Sequence, residues 1–336
     1  MLLEDVMKPK ILLITTGGTI ASVAGENGLA PMGAKILEGE IDRLRTYYDI
    51  SVCDLMCLDS SNIQPEEWVK IARAVYEKRN GYDGIVITHG TDTMAYTSSV
   101  LSFMLPGIDL PVVLTGAQLS MQNPISDAFG NLRTAFLMAA SGKKGVFIAF
   151  NRRIILGSRA VKVRAENFDA FESVNMRYAA EVRASGLKIY EDVLPKTSGE
   201  AKLLDKISTN VFLIKLTPGF SPDVFDALCN MGYKGIVVEA FGLGGMHFVN
   251  RDLAGKIKML VEKGVSVVTC SQCLYDSSNL HIYEVGKRLL DVGVIQGYDM
   301  TTEAAVTKLM CALGNGMSQS EIREFFAKSV AGEITL

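Results

Sequence analysis

The sequence predicts an α/β protein of two doubly wound domains with largely parallel sheets, the N-terminal one larger, joined by a linker. Short apolar runs rich in Val, Ile and Leu alternate with longer stretches of helical period, which is the pattern of strands and helices around a parallel sheet. The length of 336 residues corresponds to about two domains at roughly 150 residues each. With 48% hydrophobic and 21% charged residues, the balance is globular and excludes disorder, collagen-like repeats and coiled coils. A chain of this size removes roughly 75% of its unfolded surface from water, so its core needs neither disulfide nor metal.

In the first half, strands are expected at residues 11–15, 51–56, 84–88, 112–115 and 146–150. A helix should start at Pro65, where Pro and two acids, Glu66 and Glu67, form a first turn. Asp92 opens a second helix, whose apolar positions Met94, Tyr96, Val100, Leu101 and Met104 follow helical spacing; an acid there also reads as a helix cap. A third helix is expected over 126–140. From residue 151 the pattern loosens, with a hairpin turn at Asn151-Arg152-Arg153 and a polar, turn-rich stretch after Leu194. These signals divide the chain into a catalytic domain at 1–192, a linker at 193–210 and a smaller α/β domain at 211–336. In that domain strands are expected at 211–216, 236–239 and 265–270, and helices near 222–231, 252–263, 303–313 and 320–327. Tyr82-Asp83-Gly84-Ile85-Val86-Ile87 and Tyr233-Lys234-Gly235-Ile236-Val237-Val238 echo each other as helix–turn–strand units, a recurrence that local physics alone also produces.

The charges nearly cancel, 34 Lys+Arg against 37 Asp+Glu, with no basic stripe, so nucleic acid is not an expected partner. No run of 18 apolar residues predicts a membrane span, and the N-terminus lacks the features of a signal peptide. Cys53 and Cys57 with Cys270 and Cys273 have the look of a zinc set. The first pair lies on a strand-like stretch, where four residues span about 13 Å, too far for both sulfurs to hold one ion. Six free thiols (with Cys229 and Cys311) and no metal are expected, which suits a reducing, cytoplasmic compartment.

Ligands of an open parallel sheet bind beyond the carboxyl ends of its strands. There the sequence reads Thr15-Thr16-Gly17-Gly18-Thr19, then Asp59-Ser60-Ser61-Asn62, His89-Gly90-Thr91-Asp92-Thr93, and Thr115-Gly116-Ala117-Gln118. None has the spacing of a dinucleotide or P-loop fingerprint. Two glycines allow close backbone approach, and Thr19 beyond them is a candidate nucleophile or oxyanion partner. A hydroxyl needs a base, for which His89 and Lys162 are the candidates; by position alone His89 also reads as a packing residue and Lys162 as a surface lysine.

Thr16-Gly17-Gly18-Thr19-Ile20-Ala21 together with His89-Gly90-Thr91-Asp92-Thr93-Met94-Ala95-Tyr96 resembles the motifs of the cytoplasmic, type I L-asparaginases of bacteria and archaea. Leu58-Asp59-Ser60-Ser61-Asn62, Phe168-Asp169-Ala170-Phe171-Glu172-Ser173 and Met300-Thr301-Thr302-Glu303-Ala304 extend the resemblance from about residue 10 to the C-terminus. It implies a cofactor-free amidohydrolase that converts L-asparagine to L-aspartate and ammonia through an acyl-enzyme. Thr19 would be the nucleophile, and Thr91, Asp92 and Lys162 a hydrogen-bonded relay. Asp59, Ser60, Ser61, Gly90, Thr91, Asp92 and Ala117 would bind substrate, with backbone N–H groups near Thr91 and Ala117 close to the oxyanion. It also implies a homodimer or a dimer of dimers. Three positions depart from the family: Leu29 near the place of a lid tyrosine, Gly245 for an asparagine contributed by a neighbouring subunit, and Glu239 for a regulatory arginine, although Ser271, Gln272 and Cys273 match other parts of that regulatory site. The glutamine-hydrolysing subunit of an archaeal tRNA-dependent amidotransferase shares the motifs but carries an extra N-terminal domain. A silent amino-acid sensor on the same fold is disfavoured by the intact Thr19, Thr91, Asp92 and Lys162.

Overall fold

The computed structural model describes residues 7–25, 28–31, 33–196 and 199–335, with backbone alone at 23–25, 28–31 and 34. Two compact units divide the chain, Met1–Leu203 and Leu204–Leu336.

In the first unit the strands are β1 (Lys10–Gly17), β2 (Ser22–Gly25), β3 (Gly28–Pro31), β4 (Asp49–Leu58), β5 (Gly84–Thr88), β6 (Pro111–Thr115), β7 (Gly145–Phe150), β8 (Arg153–Leu156), β9 (Ala160–Lys162), β10 (Phe171–Ser173), β11 (Ala180–Arg183) and β12 (Gly186–Ile189). The helices are α1 (Glu38–Leu44), α2 (Pro65–Lys78), α3 (Met94–Met104) and α4 (Ala128–Ala139). The main sheet has the order β12-β11-β8-β7-β6-β5-β1-β4. Its β4, β1, β5, β6 and β7 run parallel, and β8, β11 and β12 extend it antiparallel. Every residue of β5, β6 and β7 is buried, as central strands covered on both faces require. Helix α2 starts with Pro65 behind a Gln64/Glu67 capping box and buries Trp68, Ile71, Ala72 and Val75 along one stripe.

The expected hairpin falls at Asn151 and Arg152, whose positive φ values of 47° and 60° suit a two-residue turn between β7 and β8. The strands that follow it, β8 to β12, are short and carry no strong alternation, which is why the sequence pattern loosens there. One expectation is corrected. Helix α3 starts at Met94 with Thr93 at its N-cap position, so Asp92 lies outside the helix and does not cap it.

The second unit holds β13 (Val211–Lys215), β14 (Gly235–Ala240), β15 (Ser266–Ser271) and β16 (Ile295–Gln296), with α5 (Asp223–Asn230), α6 (Leu253–Glu262), α7 (Glu284–Asp291), α8 (Thr302–Gly314) and α9 (Gln319–Phe326). Its four strands are parallel and lie in chain order, without reversal. Near its C-terminus a fully buried pair, Lys308 and Glu333, fastens the final segment: Lys308 Nζ donates to Glu333 Oε1 at 2.5 Å and to the Lys328 carbonyl at 3.0 Å. The Glu333 carboxylate also accepts the N–H groups of Val330 and Ala331. Burial draws the Lys308 ammonium below its usual pKa, against the pull of Glu333.

Candidate active site

Strand order reverses at β1, whose neighbours are β4 and β5, and such a reversal opens a crevice at the carboxyl edge of a parallel sheet. Register sets Thr15 beside Thr88 and Thr88 beside Thr115, so the chain leaves β1, β5 and β6 at one level.

Beyond β1, Gly17 and Gly18 adopt φ values of 105° and 82°. A Cβ on Gly17 would stand 2.3 Å from the Leu58 carbonyl oxygen, and one on Gly18 2.3 Å from the Gly90 nitrogen, so no side chain fits. This close approach sets the Thr19 segment against the Gly90–Thr91 turn. Thr19 is half-buried at the start of a single 3₁₀ turn, and its hydroxyl has no hydrogen-bond partner among the described residues. Ser22 Oγ bonds back to the Gly18 carbonyl and Ser120 Oγ to the Ser22 carbonyl, which holds the turn.

Beyond β4, Asp59 and Ser61 are exposed. Hydrogen bonds from Ser61, with its side chain first and its backbone N–H second, keep the Asp59 carboxyl below the ordinary range. Ser60 is buried and braces the next turn: its Oγ accepts Asp92 N–H at 3.2 Å, and its carbonyl accepts the Thr93 hydroxyl at 2.7 Å.

Lys162 Nζ donates to Thr91 Oγ1 at 2.8 Å and to Asp92 Oδ1 at 2.6 Å. The side chain of Lys162 is 16% exposed and that of Asp92 61%, so the pair opens to solvent on the carboxylate side. Helix α3 makes this meeting happen, because Ser98 and Ser99 both donate to the Gly157 carbonyl, docking the turn that leads into β9 and Lys162. Thr91, Asp92 and Lys162 therefore converge, and Thr19 lies outside their hydrogen-bond chain.

Gln118 was not among the expected site residues. It accepts from Thr91 Oγ1 at 3.2 Å and donates to the carbonyls of Ala165 and Asn167 at 2.9 and 3.1 Å, tying the relay to the loop after Lys162. Its place three residues beyond β6 was the one sequence signal for it. Ala117 and Thr91 are 1% and 7% exposed, yet neither backbone N–H donates a hydrogen bond among the described residues.

His89 does not act on these groups. Thr97 Oγ1 accepts from Trp68 Nε1 and so donates to His89 Nε2, which leaves the proton on Nδ1 to bond the Gly90 carbonyl at 2.7 Å. Complete burial lowers its pKa to about 4, outweighing the Gly90 contact, and the ring is a neutral buttress for the turn.

The Leu29 side chain lies outside the described residues. Gly245 bonds back to Phe241 in a tight turn. Glu239 accepts the Thr302 hydroxyl at 2.6 Å and pairs with Lys215 at 3.7 Å. Gln272 donates to the carbonyls of Leu216 and Glu239, and Ser271 to that of Gly242. Cys53 and Cys57 both lie on β4, and Cys270 is buried.

Two family profiles match the chain, "Asparaginase, N-terminal" over residues 10–194 and "Glutaminase/Asparaginase C-terminal domain" over 210–326. The L-asparaginase of Thermococcus kodakarensis is 44% identical, covering 97% of this chain and 99% of that protein. The structure of the thermostable L-asparaginase from the same organism superposes with a TM-score of 0.90 at 43% identity, over 97% of this chain and 99% of the other. A probable cytoplasmic L-asparaginase from Campylobacter jejuni superposes at 0.82 with 29% identity, over 96% and 100%. One subunit of the glutamyl-tRNA(Gln) amidotransferase of Pyrococcus abyssi is 38% identical over 97% of this chain and 77% of its own length. Both domains of the chain thus belong to the asparaginase/glutaminase family.

Proposed function

We propose that the protein is an L-asparagine amidohydrolase working by double displacement through Thr19. The observation that carries the reading is the contact of one lysine with a hydroxyl and a carboxylate, Lys162 to Thr91 and Asp92, beside the glycine turn that presents Thr19. In the first step Thr19 Oγ bonds to the side-chain amide carbon of asparagine, and the Thr19 proton passes by way of the Thr91–Lys162 pair to the leaving nitrogen. The C–N bond breaks, ammonia departs and an aspartyl ester on Thr19 remains. Water then attacks that ester, giving L-aspartate and restoring the hydroxyl. Asp92 and Asp59 anchor the substrate's α-ammonium. At Asp92 that ammonium competes with Lys162, whose contact with Thr91 is left free for proton transfer.

The reaction needs no metal or cofactor in this scheme. A cytoplasmic location is supported by six free thiols and by the C. jejuni neighbour's name, and a homodimer or homotetramer by the resemblance to type I enzymes. The second reading, glutamine hydrolysis for a tRNA-dependent amidotransferase, draws on the P. abyssi relative. Ammonia release from L-asparagine, D-asparagine and L-glutamine separates the two. Preference for L-asparagine is expected; preference for L-glutamine favours the second reading, and silence on all three refutes both.

A further inference from the structure

We infer that Asn131 is a positioning residue for this chemistry, anchoring the Gly116 carbonyl so that the backbone N–H of Ala117 faces the oxygen of the scissile amide. The inference rests on the amidohydrolase reading above. In a trans peptide the C=O of one residue and the N–H of the next point opposite ways, so a side chain that holds the Gly116 oxygen also directs the Ala117 nitrogen. Asn131 Nδ2 donates to Gly116 O at 3.0 Å and to Asp127 Oδ2 at 2.9 Å, while its Oδ1 accepts Asn151 N–H at 2.8 Å. Reversing the amide would set its oxygen against two acceptors, so this orientation is unique. At 2% exposure Asn131 is sealed from competing water.

The neighbouring N–H groups show what is different about Ala117. Gln118 N and Leu119 N both donate to the Asp127 carboxylate, at 3.0 and 3.1 Å, but Ala117 N donates to none of the described residues. Buried backbone donors are almost always paired, so one left open beside a hydroxyl–lysine relay is suited to an incoming acceptor. The relay is close: a Cβ on Gly116 would lie 2.4 Å from the His89 carbonyl oxygen and 3.5 Å from Thr91 Cγ2. Thr91 N–H is open in the same way, and His89 Nδ1 holds the Gly90 carbonyl behind it, but that turn is also braced by Ser60. On Gly116 O, Asn131 is the sole side-chain donor among the described residues.

A donor aimed at a developing oxyanion acts more strongly in the transition state than on the neutral amide, so misdirecting it lowers kcat rather than raising KM. Loss of one such donor costs about 10²–10³-fold, and mere misalignment should cost less, about 10–100-fold. The test compares Asn131→Leu and Asn131→Ala with wild type for kcat and KM on L-asparagine, and for binding of L-aspartate and of its β-aldehyde, which forms a tetrahedral adduct with a hydroxyl. Expected are the stated fall in kcat, little change in KM or L-aspartate binding, and a matching loss of aldehyde affinity. Thr134→Val, which removes a hydroxyl bond within the same helix, should lower the thermal midpoint and leave kcat unchanged. Should both variants fail to fold, Asn131→Gln carries the same comparison with an amide retained. Unchanged kcat in a folded variant, or a loss matched by weakened L-aspartate binding, overturns the inference alone. A wild type silent on both L-asparagine and L-glutamine overturns the reading beneath it and the inference with it.

Discussion

Each unit contains a lysine pressed against a carboxylate, and the two pairs do opposite work. Lys308 and Glu333 are both fully buried and are held by contacts to backbone, to aromatic rings and to one another. Lys162 and Asp92 are partly open, and Lys162 also donates to the Thr91 hydroxyl. A sealed ion pair has no route for a proton, which suits the buried pair to a structural role, whereas the open pair lies where the proposed reaction needs a lysine beside a hydroxyl. Topology explains the placement. The first sheet reverses its strand order at β1, the place where open parallel sheets bind ligands, while the second runs β13 to β16 in order. At the carboxyl edge of that second sheet the polar groups stitch loops together, with Gln272 on two carbonyls and Thr302 on Glu239.

The largest expected effect tests the open site. Thr19→Ala should lower ammonia release from L-asparagine by at least about 10⁴-fold with the fold intact, as loss of a nucleophile does elsewhere. Wild-type-like turnover would remove Thr19 from the mechanism. Lys162→Met should follow with a loss of about 10²–10⁴-fold, and a loss below tenfold would make this pair as structural as the other. Lys308→Met strands a buried carboxylate and should destabilise the second unit by about 3–5 kcal/mol in urea unfolding, with turnover per folded molecule unchanged. Adding Glu333→Gln should recover part of that loss. No recovery would mean that the pair is not the clasp.

The smallest effect contrasts the units by pH. His89 has a folded pKa of about 4 against an ordinary 6.5, so the unfolded chain binds its proton first, and stability falls as pH drops from 6.5 to 4, by on the order of 3 kcal/mol at most. Glu303 is pushed up to about 7 from 4.5, chiefly by burial and further by Glu239, so its contribution is full below pH 4.5 and fades as pH rises through 7. The single tryptophan, Trp68, lies in the first unit and belongs to the His89 hydrogen-bond chain, so its fluorescence follows that unit alone. Urea midpoints read by Trp68 should rise between pH 4 and 6.5. A flat profile would mean that His89 is not sealed.

Much of the fold was legible in the chain. The strands β1, β5, β6 and β7 are near-continuous apolar runs, the first three ended by glycine and hydroxyl residues, and α2 carries its Pro65 and capping acid in plain sight. The short antiparallel strands β8 to β12 were not, because they lack a sustained alternation and their pairing is set by neighbours far along the chain. Asp92 misled as a helix cap because its carboxylate is drawn to a lysine 70 residues away.

By itself the sequence determined which residue types stand at the exits of the strands: Thr19 behind two glycines, the Thr91–Asp92 turn, and Asp59 with its serines. Local backbone needs and hydrophobic period fix those positions without reference to distant partners. The motif resemblance implied that Lys162, plain in its own segment, joins Thr91 and Asp92; only the tertiary structure decided the contacts that do so, that Gln118 accepts a hydrogen bond from the Thr91 hydroxyl, and that His89 is a neutral brace. The Lys162 and Gln118 contacts join segments 27 to 71 residues apart, and the state of His89 depends on its burial and hydrogen-bond direction, none of which a local pattern encodes.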